Sequence, residues 1–90
     1  GSRRDLALLL DSTVKYEDLY KATKEVKSNL LKGVNLFDVY EGDKLPAGKK
    51  SYALSFVIQD ENKTLSDQEI DQLMNKLIKL YQDKFSAELR

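Results

Sequence analysis

The sequence predicts an α+β fold, a four-stranded antiparallel sheet with two helices on one face. Three observations carry this reading. Residues 3–11 and 49–59 are short runs that are apolar, or nearly so, on both alternating faces, as central strands are. Residues 16–31 and 66–84 carry apolar stripes at helical spacing, with most charges outside the stripe. The order is therefore strand, helix, strand, strand, helix, strand, and two apolar helix faces must share one sheet face. A ferredoxin-like split βαβ arrangement satisfies that demand, with the first and third strands central and each crossover right-handed.

Residues 3–11 read RRDLALLLD, with Leu6, Leu8 and Leu10 on one face and Ala7 and Leu9 on the other. Leu and Ala also suit a short buried helix, but the abrupt Asp11-Ser12-Thr13 stop favours a strand. In the first helix, 16–31, Leu19, Ala22, Thr23, Val26 and Leu30 form the stripe. Glu17 and Asp18 suit the positive end of its dipole and Lys32 the negative end. Gly33 reads as the residue just past the last turn.

The second strand, 34–41, is expected to point Phe37 and Val39 at the core and Leu36, Asp38 and Tyr40 away from it. Residues 42–48 form a turn, where Pro46 has no N–H for a ladder and Gly48 can take a positive φ. In the third strand Tyr52, Leu54, Phe56 and Ile58 make the better core face. Ser51, Ala53, Ser55, Val57 and Gln59 make a small, partly polar face for solvent or a partner. After a turn near Asn62, Ser66-Asp67-Gln68-Glu69 is a capping box flanked by the staple pair Leu65 and Ile70. Ile70, Leu73, Met74, Leu77, Ile78 and Tyr81 line the second helix, and residues 85–90 read as a short last strand.

Ninety residues make one domain with a modest core. Gly1 and Ser2 read as a cloning remnant, leaving 3–90 as the domain, and a domain that opens directly on a strand reads as cut from a longer chain. Fifteen basic and fifteen acidic residues cancel, so the chain is no general electrostatic magnet for nucleic acid or membrane. The absence of Cys excludes disulfides and thiolate chemistry and fits a reducing, cytoplasmic setting. No leader and no membrane span is legible.

The residues offer no self-sufficient catalytic group. Without His, a Ser-His-Asp triad is impossible. Gly-rich phosphate motifs are missing, and no Arg beside the first loop can grip a phosphate as acylphosphatases of this fold class do. Asp5, Asp11 and Asp38 read as strand-end charges or local caps. The aromatic pattern of an RNA recognition module is also missing, because Phe56 falls on the core face. Tyr40 is the one aromatic expected on the open face, suited either to base stacking or to packing against a neighbouring domain.

The basic residues fall into two sets. Lysines of the first helix read as a solvated surface. Arg3, Arg4, Lys49, Lys50 and Arg90 lie at strand ends. The start of the first strand, the end of the third and the start of the fourth are expected together at one end of the sheet. Lys63 is expected near the first strand's start, clustered with Arg3 or Arg4 for a phosphate contact. Lys49 and Lys50 read as a solvated hairpin corner or a local phosphate contact.

RDLALLLD at 4–11, LFDVYEG at 36–42, GKKSYALSF at 48–56, TLSDQEI at 64–70 and FSAELR at 85–90, in this order and spacing, resemble one family. It is the C-terminal ferredoxin-fold anticodon-binding domain of the bacterial phenylalanyl-tRNA synthetase beta subunit. The resemblance covers nearly the whole chain after Ser2. One departure is Lys63, where the family commonly carries Arg; charge is kept and the planar fork is lost.

The resemblance implies a non-catalytic module that reads the anticodon of tRNA(Phe). The parent would be an enzyme of two alpha and two beta subunits that joins phenylalanine to tRNA with ATP and Mg2+. Cofactors would belong to the parent and not to this domain. The residues it brings forward are Arg3, Arg4, Ala7, Tyr40, Lys49, Lys50, Ala53, Ser55, Lys63 and Arg90. Ala7, Ala53 and Ser55 would let a base approach closely, and Arg4 or Arg90 would stack on it. A regulatory or protein-docking module using the open sheet face is the alternative.

Overall fold

A computed structural model of the chain describes residues 2–90. The elements run β1 (Ser2–Asp11), α1 (Tyr16–Thr23), β2 (Leu31–Tyr40), β3 (Lys49–Ile58), α2 (Asp67–Phe85) and β4 (Glu88–Leu89). They form one sheet in the order β2-β3-β1-β4, every neighbouring pair antiparallel. The expected ferredoxin-like arrangement is present, with the two doubly apolar strands in the centre. β1 and β3 pair along their full lengths, from Ser2 opposite Ile58 to Asp11 opposite Lys49.

Alternation then decides the two faces. Leu8, Leu10, Tyr52, Leu54, Phe56 and Ile58 turn to the helices and are buried. Against them lie Leu19 of α1 and Ile70, Leu73, Leu77 and Tyr81 of α2. The two helices are tied by a buried polar link. The Thr23 hydroxyl donates to the Leu19 carbonyl at 2.7 Å, which leaves its oxygen to accept from the Tyr81 hydroxyl. Burial pushes the Tyr81 pKa up to about 12, with the Thr23 bond opposing, so the phenol stays protonated and able to donate. Among the described residues no buried side-chain polar atom lacks a partner.

α2 starts as its sequence dictates. The Ser66 hydroxyl accepts the Glu69 N–H at 3.2 Å, and the Glu69 carboxylate accepts the Ser66 N–H at 3.3 Å. Ile70 is buried and Leu65 packs against the same cluster, completing the staple. The helix ends at Ser86, whose φ of 52° is left-handed. Ser66→Ala is expected to lower stability by about 1 kcal/mol through loss of the cap, read as a lower urea midpoint at unchanged m-value; an unchanged midpoint would discount the cap.

Three expectations need correction. α1 ends at Thr23, not Leu31, and Gly33 lies inside β2 rather than past a helix end. The turns Glu25 N–H to Ala22 O and Val26 N–H to Thr23 O release the chain early. Leu31 can then pair with Ile58, so the sheet ladder outweighs the continuing helical period, while Val26 and Leu30 still pack on the core from the connection.

In β2 the register shifts between Leu36, opposite Leu54, and Asp38, opposite Ala53. This β-bulge inserts one residue and reverses the alternation on its N-terminal side. Leu36 therefore packs against the core and Phe37 is exposed, the reverse of the expectation; Val39 keeps its expected phase opposite Tyr52 but is exposed rather than buried.

The last strand is only Glu88–Leu89, because Phe85 completes α2. Its start lies beside Leu9, near the end of β1 rather than its start, as antiparallel pairing requires.

Candidate functional site

The face of the sheet away from the helices has no layer of its own over it. Its floor is made by residues alternating with the core: Ala7 and Leu9 from β1, and Ser51, Ala53, Ser55 and Val57 from β3. Ala7 sits directly opposite Ala53. Two cation–aromatic pairs stand on this floor. At one end the Arg90 guanidinium lies 5.9 Å from the Tyr40 ring centroid; at the other, Arg3 lies 5.7 Å from that of Phe37.

The Arg90–Tyr40 pair spans the sheet. Tyr40 is on edge strand β2, and Arg90 follows β4 at the opposite edge, its N–H donating to the Ala7 carbonyl at 3.0 Å. That bond sets Arg90 beside the middle of β1, from where its side chain reaches across both central strands. Beneath lies an open groove of about 400 Å³ lined by Ala7, Asp38, Tyr40, Lys44, Ser51, Ala53 and Arg90. Gly42 helps place the ring. A Cβ there would come 2.8 Å from Tyr40 Cζ, so only glycine leaves the ring where it is.

Of the ten residues brought forward from sequence, Ala7, Tyr40, Ala53 and Arg90 meet in this groove. Ser55 lies on the same face between Asp5 and Asn35 but is only 5% exposed. Arg3 lies on that face at the other end, its Nε donating to Asp5 at 3.2 Å.

The remaining four lie elsewhere. Arg4 shares the alternation of the helix-facing residues and sits 3.8 Å from Asp67, at the start of α2. Lys63 lies near Ser2, as expected, but is paired with Glu69 at 3.0 Å. That bond, followed by the Ser66 N–H, holds the Glu69 carboxyl below its usual range. Lys49 faces Asp11, whose carboxyl is lowered chiefly by the Thr13 N–H and hydroxyl and further by the Lys49 charge. Lys50 sits over the Tyr52 ring at 4.9 Å.

Three groove residues were not singled out as contacts: Asp38, Lys44 and Ser51. Ser51 was legible, because it alternates with Ala53 and Ser55. Lys44 was not, since it belongs to the turn and reaches the groove only through the fold.

The fold and this face together define a ferredoxin-like domain that spends one sheet face on its helices and leaves the other as a low floor framed by rings and guanidinium groups. The chain belongs to the ferredoxin-fold anticodon binding domain family, whose model matches residues 1–90. It is 56% identical over 88 residues to the phenylalanine–tRNA ligase beta subunit of Bacteroides fragilis, a match covering 98% of the chain. The corresponding subunits of Photorhabdus laumondii and Fusobacterium nucleatum are 40% and 42% identical over 100% and 97% of the chain. The chain spans 11% of the length of each of these relatives.

Proposed function

We propose that the chain recognises the anticodon of tRNA(Phe) as a non-catalytic module of a phenylalanine–tRNA ligase. The observation that carries the reading is the groove between Tyr40 and Arg90 over the Ala7–Ala53 floor. An unpaired base needs a flat apolar face, close approach and edge partners. Tyr40 and the guanidinium supply the faces, the two alanines the clearance, and Ser51 and Asp38 the hydrogen-bonding groups. Membership of an anticodon-binding family supports the same reading.

The parent enzyme would join alpha and beta subunits, two of each, in the cytoplasm. Its ATP and Mg2+ are assigned outside this chain. Among the described residues no group of three His, Cys, Asp or Glu could hold a metal ion, and the chain has no Gly-rich phosphate loop. No helix is long and apolar enough to cross a membrane.

Arg90→Ala is the sharpest test on the chain itself. The backbone bond to Ala7 remains, so the fold should persist while affinity for tRNA(Phe) falls on the order of tenfold, the value of one lost stacking or cation–π contact. Amide shifts during titration with tRNA(Phe) should gather on the open face. Affinity equal to wild type at both low and high salt would remove Arg90 from the site, and no shifts at all would favour a protein-docking use of this face.

A further inference from the structure

We propose that Phe37, together with Arg3, forms a second nucleobase platform on the open face, taking a base adjacent to the one held at Tyr40. The proposal rests on the anticodon reading and adds to it a site that alternation alone hides.

The β-bulge is the origin. An unbulged β2 would bury Phe37 or Leu36 in strict alternation; the inserted residue puts Leu36 against the core and turns Phe37 out. At 53% exposure Phe37 is the most open large apolar side chain among the described residues. Exposing a phenyl ring costs hydrophobic burial, and here it is the cost of seating Leu36 on the core. The ring is not left to wander, however. Arg3 reaches from β1 across β3 to place its guanidinium 5.7 Å from the ring centroid, and Asp5 holds the Arg3 Nε. Asn35, exposed on the same strand opposite Ser55, offers an amide that can both donate to and accept from a base edge.

Spacing makes this a separate platform. Phe37 and Tyr40 are three positions apart on a bulged strand, roughly 7–10 Å at a rise of ~3.3 Å per residue. That span leaves room for two bases splayed onto a sheet, the way sheet aromatics take successive unpaired nucleotides. Arg3 then places its charge where the phosphate of the second nucleotide runs.

The test compares Phe37→Ala, Phe37→Tyr and Tyr40→Ala for binding to an anticodon stem–loop RNA of tRNA(Phe). A set of the same RNA, each with one loop nucleotide made abasic, is measured alongside. Phe37→Ala should weaken binding on the order of tenfold and Phe37→Tyr should retain it. One abasic position should lose its effect in Phe37→Ala, and a different, neighbouring position should lose its effect in Tyr40→Ala. If Phe37→Ala binds as wild type while Tyr40→Ala is weakened, the second platform is wrong and the anticodon interface stands. If both variants couple to the same nucleotide, there is one platform, not two. If neither variant changes affinity, the interface reading fails and this proposal with it.

Discussion

Phe56→Ala is expected to cost about 3–5 kcal/mol, the range for truncating a fully buried aromatic side chain. Phe56 is fully buried in the centre of β3, opposite Arg4 on one side and Val34 on the other. No neighbour can collapse into the space, because β3 is held along its length by two strands and roofed by the helices. A domain of this length has roughly 5–13 kcal/mol in all, at ~0.05–0.15 kcal/mol per residue. The substitution should therefore take roughly a quarter or more of it and leave a measurable unfolded fraction at growth temperature. Urea unfolding followed by circular dichroism checks this directly. Phe37→Ala is the matched control: it loses an exposed ring and one cation–π contact, worth at most about 1 kcal/mol. Equal losses for the two would mean that the bulge does not turn Phe37 outward.

That contrast also marks what could be read from the residues alone. Phe56 lies in an unbroken alternation of Tyr52, Leu54, Phe56 and Ile58, so a two-residue period places it inside with no knowledge of its neighbours. Phe37 lies in LFDVY, where both possible registers put a large apolar residue on the core. The choice between them is made by pairing with β3, through a bulge that carries no glycine to announce it. α1 shows the same limit. Its stripe continues through Val26 and Leu30, and both do reach the core, but from a turn, since the ladder claims Leu31. Long-range pairing is invisible to a local period. α2, by contrast, carries its own start in Ser66 and Glu69, and that start was legible.

The site divides along the same line. Ala7, Ala53 and Ser55 follow from alternation on the two central strands, and so does Tyr40, which lies beyond the bulge where the expected phase returns. Arg90 was attached to a strand end by its place in the sequence. Only the register of β4 against β1 sets it beside Ala7, mid-sheet, where it can cross to Tyr40. The lysines mislead for the opposite reason. Lys63 looks free in the sequence but is paired with Glu69 in the fold, and Lys49 lies across from Asp11, whose carboxylate accepts from Thr13. A neutral chain with its charges so paired gains little from long-range attraction to RNA, and short-range stacking must carry recognition.

Removing these ninety residues from the longer protein to which the family reading assigns them should then separate two activities of that protein. Formation of the aminoacyl adenylate from phenylalanine and ATP should be unchanged, because this chain supplies no catalytic His, Cys or phosphate loop. Transfer to tRNA(Phe) should fall in kcat/KM by at least roughly thirtyfold, since two bases at about 1–3 kcal/mol each lose their platforms. The loss should sit mainly in the KM for tRNA, as interactions remote from the reacting ester hold the substrate before as well as during transfer. The truncated enzyme should also become indifferent to substitutions in the anticodon that weaken the intact one. Adenylate formation by pyrophosphate exchange and acylation of anticodon-variant tRNA(Phe) measure the two halves independently. Equal acylation with and without the domain would place its work on another surface. A matching fall in adenylate formation would mean that it supports the fold of its neighbours rather than the reading of RNA.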